Sequence, residues 1–212
     1  MSDKIEGNLL KDQVYERLAK MISNAELMPG DRLTEAQIAE KFGVSFTPVR
    51  EALIKLNSDG IIHKIPHKGF YINKYNDKEI NEIYQVFVNI QELAIQLIIN
   101  KLTESDFLEQ ESIINDMEKA CNSNDYKSYL FSNHKIHDYY IYKADNKFLT
   151  SIYKKISIMP MPIFYFVAEG DKCIENMQKN ISEHRLIVKL IKEKDLDGIR
   201  KALINHYGVT YD

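Results

Sequence analysis

Between Thr34 and Ile72 the chain sets two short amphipathic helices around one glycine, then two short apolar runs around another, an order that few folds accept. Thr34 has the small polar side chain of a helix N-cap. Ile38, Ala39 and Phe42 then recur on one helical face until Gly43 ends it. Ser45 or Thr47 can cap a second helix with Pro48 in its first turn, and Val49, Ala52, Leu53 and Leu56 supply its buried stripe up to Asp59-Gly60. Two short helices joined by a glycine-containing turn predict a helix-turn-helix.

The flanks extend this unit. Residues 9 to 26 place Leu10, Val14, Leu18, Met21, Ile22 and Ala25 at helical spacing, and Met28-Pro29-Gly30 stops that helix. After Gly60, the runs Ile61 to Ile65 and Phe70 to Ile72 flank Pro66-His67-Lys68-Gly69, which predicts a two-stranded wing with Lys64, His67 and Lys68 near its tip. Net charge is −3, unpromising for a partner made of phosphates, yet residues 41 to 74 carry six basic side chains against two acidic. Residues 75 to 212 hold 17 basic and 21 acidic groups, so a basic contact module is joined to an acidic domain. Charge alone leaves open a merely solvated face.

From Asp77 onward the periodicity is helical. It begins with Ile80, Ile83, Tyr84, Phe87, Ile90, Leu93, Ala94 and Leu97, and continues at about 104–122, 125–143, 146–169, 171–193 and 195–207. The fold class expected is mainly α: an N-terminal winged helix-turn-helix over 1–74, then an antiparallel bundle of about six helices over 77–212. Pro160 and Pro162 should break the fourth bundle helix. No apolar run is long enough for a membrane helix and the start lacks a secretion signal, so the reading is a cytoplasmic protein with no membrane partner. Cys121 and Cys173 lie far apart without metal-ligand spacing and read as inert thiols.

The bundle's histidines form a second pattern. Asn133 and His137 are four apart, hence on one helical face, while His184 and His206 belong to two later helices. If those faces meet, three imidazoles and an amide oxygen converge as a plausible shell for zinc, nickel or manganese. The same side chains can instead line a polar, metal-free pocket. His134, next to Asn133, is expected to point toward solvent.

The stretch from Leu27 to Ile72, with MPGDRL, TEAQIAEKFGVSFTPVREAL, LNSDGII and KGFYI, resembles the GntR family of bacterial regulators, and the bundle is similar to that family's FadR-type ligand-binding domains. The resemblance implies DNA contacts from Thr34, Ser45, Phe46, Thr47, Arg50, Lys55, Lys64, Lys68 and Gly69. Phe46 stands where the family usually has Arg. It can meet a thymine methyl, pack on the sugar backbone or fill a local gap, whereas Arg50 keeps its capacity for bidentate bonds to guanine. The resemblance also implies a metal held by Asn133, His137, His184 and His206, with Asn133 where Asp is usual. Phe87 occupies the place of a pocket-facing Arg. Tyr140 and Arg185 are the other pocket candidates, and Tyr139, Tyr142, Tyr153, Phe164, Tyr165 and Phe166 are aromatic side chains for pocket or core.

These features predict a ligand-responsive transcriptional regulator rather than an enzyme. It would be a repressor binding a palindromic operator in double-stranded DNA as a homodimer, with a small carboxylate effector held beside a divalent metal. A DNA-binding protein with a metal-free or vestigial bundle is the alternative, and a metal-dependent enzyme a remote one, since no Asp or Glu stands out as a general base.

Overall fold

The computed structural model describes residues 10–159 and 172–211, which divide into two compact units: residues 10–74 with 157–159, and residues 75–156 with 172–211. The first unit opens with α1 (Leu10–Ser23), whose buried face is Val14, Leu18, Ala19, Met21 and Ile22. It continues with β1 (Arg32–Leu33), α2 (Glu35–Phe42), α3 (Phe46–Ser58), β2 (Ile62–Ile65) and β3 (Gly69–Ile72). Thr34 caps α2 by accepting from the Gln37 amide, and Gly43 ends it in the left-handed region at φ 66°, where a Cβ would be strained. Ser45 occupies the N-cap of α3, but its side chain makes no capping bond.

α1 and α2 both pack on α3, around a core in which Val49, Leu53, Leu56, Ile61 and Ile72 have no exposed area. Each such Leu or Ile contributes about 1.5–3 kcal/mol. Tyr15 on α1 donates to Asp59 at the end of α3 (2.9 Å), fixing the angle between the two helices. The sheet runs β1-β3-β2, antiparallel, with Leu33 opposite Phe70 and Ile62 opposite Ile72. β1 is an addition to the two strands expected from sequence; two residues are too few for an alternation to show.

The second unit is helical. α4 (Asp77–Ile98) starts with a reciprocal capping box between Asn76 and Glu79. It is followed by α5 (Glu104–Asn122), α6 (Tyr126–Lys143), α7 (Lys147–Ser157), α8 (Lys172–Glu193) and α9 (Leu196–Tyr207). α6 packs on α4 and α5, α8 on α5 and α9, and α9 on α4, so five helices close a ring. Their inward faces must converge. α7 ends at Ser157, ahead of Pro160; the expected break at Pro160 and Pro162, with Phe164, Tyr165 and Phe166, falls outside the described residues.

Near the start of α5, Asp106 accepts from the backbone amide and hydroxyl of Thr103, from Tyr139 and from Lys143. Lys143 first, then the other donors, hold its carboxyl well below the usual range. Tyr140 is buried with its hydroxyl on Gln110 (3.2 Å), so its polar end points to α5 as part of the core. Both cysteines are buried and free.

Candidate functional site

In the first unit the exposed first turns of α3 present Phe46, 56% exposed, with Thr47 and Arg50. Arg50 does not hang free. Its Nε and one terminal nitrogen donate to the two carboxylate oxygens of Glu35 at 3.0 and 2.8 Å, a planar bidentate pair. Hydrogen bonding to Arg50 lowers the Glu35 pKa, with a smaller contribution from nearby Lys64. The start of α2, the start of α3 and the wing strand β2 thus share one polar patch. Sequence reading missed Glu35, although it directly follows the N-cap.

The wing turn is closed by the Lys68 amide on the Ile65 carbonyl (3.0 Å), with His67 at φ 60°. Gly69 sits at φ 104°, and a Cβ there would lie 3.4 Å from the Leu33 carbonyl oxygen. Lys64 and Lys68 are exposed. Lys55 instead turns toward α1, with its ammonium 3.4 Å from Asp12 and over the Tyr15 ring. Thr34 spends its hydroxyl on Gln37, to which it also donates (2.7 Å).

In the second unit the ring of helices brings three histidines together. His137 from α6, His184 from α8 and His206 from α9 have ring centroids 4.5–5.4 Å apart, and one nitrogen of each lies within 4.8 Å of the others. Asn133 joins them, its Oδ1 3.1 Å from His184 Nε2. Burial first, then neighbouring imidazoles, pushes His137 and His184 well below the usual histidine range, so both are neutral at physiological pH. A neutral imidazole keeps a lone pair for a ligand or proton.

Two of the three rings are oriented from behind. His137 Nδ1 meets Gln91 Oε1 at 3.2 Å and the Tyr207 hydroxyl at 3.0 Å, while His206 Nδ1 meets Glu183 Oε2 at 3.0 Å. A proton on Nδ1 of His137 and of His206 would leave Nε2 of each of those rings for the centre of the cluster. Phe87 is buried beside them, edge-on to His137, and also touches Tyr153 and Tyr207. Gln91, Glu183 and Tyr207 were not among the expected site residues. Gln91 is one turn after Phe87, which puts the two on one helical face, whereas Glu183, one residue from His184, carried no such signal.

One pocket candidate does not join the cluster. Arg185 projects to the surface, where it pairs with Glu118 on α5 (2.7 Å), because it is one residue, about 100° of helix, away from inward-facing His184. His134 is half-buried rather than solvent-facing and adds to the repulsion that keeps His137 neutral. Tyr142 is 51% exposed.

Residues 10–72 match the model of bacterial regulatory proteins of the gntR family, and residues 82–208 match the FCD domain. The chain belongs to the GntR family. This GntR protein is 29% identical over 197 residues to the HTH-type transcriptional regulator YdhC of Bacillus subtilis, a match covering 92% of this chain and 87% of the relative. It is 25% identical over 191 residues to the Escherichia coli HTH-type regulator McbR, covering 90% and 86%. The solved structure of E. coli McbR/YncC shares the fold with a TM-score of 0.84 at 23% identity, covering 95% of each chain. The GntR members matched here are transcriptional regulators, not enzymes. Among the described residues no helix is long and apolar enough to cross a membrane.

Proposed function

We propose that this GntR regulator is a cytoplasmic repressor that binds a palindromic operator as a homodimer and is released or retained by a small carboxylate bound beside a divalent metal in its helical unit. Thr34, Ser45, Phe46, Thr47, Arg50, Lys64, Lys68 and Gly69 form the DNA face, with Lys55 at its edge. One recognition helix reads only a few base pairs, so useful specificity requires two related by a two-fold axis. Arg50 is the base-reading side chain, exchanging its bidentate bond to Glu35 for one to guanine, and Phe46 offers an apolar contact instead of a donor.

The observation that carries the sensor half is the convergence of His137, His184 and His206, buried, two of them held neutral, with Asn133 within reach. That donor set fits zinc, nickel or manganese, and Glu183 behind His206 supplies the negative charge that neutral Asn133 lacks. A bound ion would serve as a Lewis acid for an effector carboxylate. The metal-free alternative draws on one contact: Asn133 and His184 already satisfy each other at 3.1 Å.

Selection of bound sequences from random duplex DNA, followed by affinity measurements at fixed salt with zinc and a panel of organic acids, tests the proposal. Two-fold symmetric sites whose affinity shifts on adding an acid are expected. Recovery of no preferred sequence would remove the operator reading, and unchanged affinity across the panel would remove the sensor.

A further inference from the structure

Gln91 is fully buried on α4, and its Nε2 has no hydrogen-bond partner among the described residues. An orphaned buried donor needs an explanation, because a protein normally pairs every such group or fills the gap with a ligand. Turning the amide over does not cure the deficit. Nε2 would then donate to His137 Nδ1, force the ring proton onto the other nitrogen, and leave Oε1 orphaned instead. With Oε1 accepting from His137 Nδ1, as observed at 3.2 Å, the other ring nitrogen is free for the cluster and the amide N–H2 is the group in want of an acceptor.

The charge around this donor is equally specific. The unit's two arginines are already paired, Arg185 with Glu118 at the surface and Arg200 with Glu92 in a part-buried contact. Its buried polar side chains are Gln91, Asp106, Gln110, Ser132, Asn133, His137 and His184, with no lysine or arginine among the described residues. Residues 160–171 contain no lysine or arginine either. Phe87, at 5.2–6.2 Å from the rings of His137, Tyr153 and Tyr207, makes the wall beside Gln91 apolar. A second carboxylate entering this site would lose its water and meet aromatic carbon.

We propose that Gln91 is the specificity-determining residue of the centre, donating to a neutral hydroxyl or keto oxygen of a ligand that carries a single carboxylate. The inference rests on the metal-centred reading above: the ion takes the carboxylate, and Gln91 takes the uncharged oxygen a few bonds away. Dicarboxylates are disfavoured because one metal ion supplies the site's only cation. Gln91 therefore sorts hydroxy and oxo monoacids from plain fatty acids, and Phe87 sorts monoacids from diacids.

The test is calorimetric, on the full chain. Zinc is titrated alone, and the zinc-saturated protein is then titrated with propanoate, lactate, 3-hydroxypropanoate, pyruvate and succinate. At least one hydroxy or oxo monoacid should bind about tenfold or more tightly than both propanoate and succinate. In Gln91→Met, which fills the space without a donor, and in Gln91→Glu, which keeps an acceptor toward His137, that ratio over propanoate should collapse to within about threefold. The ratio is read at saturating zinc, so any change in metal affinity cancels. Failure of zinc itself to bind would overturn the metal-centred reading and this inference together. Zinc binding with succinate preferred, or with the ratio intact in both variants, would overturn the assignment of Gln91 alone, whereas zinc binding with no acid bound would overturn it together with the carboxylate effector.

Discussion

In the winged helix the polar side chains proposed to act on a partner stand in water, and the arginine among them is already bonded: Arg50 is 63% exposed and gripped by Glu35. In the helical bundle the corresponding groups are withdrawn from water: His137 and His184 are 5% and 1% exposed and neutral, with amide and phenol partners, and His206 is held by a carboxylate. The difference follows from the partner each surface suits. A polyanion is met by mobile cations that exchange one anion for another at small cost, whereas a single small ion or acid is held by donors fixed before it arrives. The head can therefore tolerate altered side chains without loss of fold, while the bundle ties its site to its core.

The largest effect should come from the bundle. His184→Ala removes one of three converging nitrogens and should weaken zinc binding by about 100-fold or more, with Glu183→Gln costing roughly tenfold through loss of orientation at His206. Zinc calorimetry checks both, and equal affinities would show that the cluster is only a hydrogen-bonded core. Next comes Asp106→Asn, expected to destabilise the bundle by about 2 kcal/mol, since it weakens a charge-assisted network behind α5.

That second effect carries a pH signature. The folded Asp106 carboxyl ionises below its unfolded value, so its stabilisation is complete above about pH 4 and is lost as pH falls from there toward the folded value. In urea unfolding, the gap between native protein and Asp106→Asn should narrow from pH 7 to pH 3. A constant gap would assign the loss to packing instead.

Effects in the head are confined to DNA. Arg50→Ala should weaken binding to a selected operator by roughly 10- to 100-fold while leaving the urea midpoint nearly unchanged. Glu35→Gln is the mildest and the most instructive: stability should hold, because exposed ion pairs contribute little, and affinity for random duplex DNA should rise by about 2- to 5-fold as Arg50 is released. A fall in random-sequence binding would mean that Glu35 presents Arg50 to DNA rather than restraining it.

Much of the fold is legible along the chain because its signals are local. Thr34, Gly43, Asp59-Gly60 and the Asn76 to Glu79 box mark ends that the backbone obeys, and the periodicities of α1 to α6 need no distant partner to be read. Histidines spaced across three helices were also legible, since four-residue spacing and helical phase predict which faces turn inward. The residues behind them were not. Gln91 and Glu183 look like ordinary polar positions on amphipathic helices, and only closure of the ring α4-α6-α5-α8-α9 sets one against His137 and the other against His206.

The winged helix with which the chain begins, the mainly helical class and the GntR family were determined by sequence alone, because they rest on hydrophobic period, caps and glycines within a few dozen residues. Tertiary structure decided which polar groups became partners. Arg50 lies 15 residues from Glu35 and His137 lies 46 from Gln91, and no local rule relates such positions. Their pairing follows from packing, which turns one helical face inward and leaves Arg185, a single residue from His184, at the surface on Glu118.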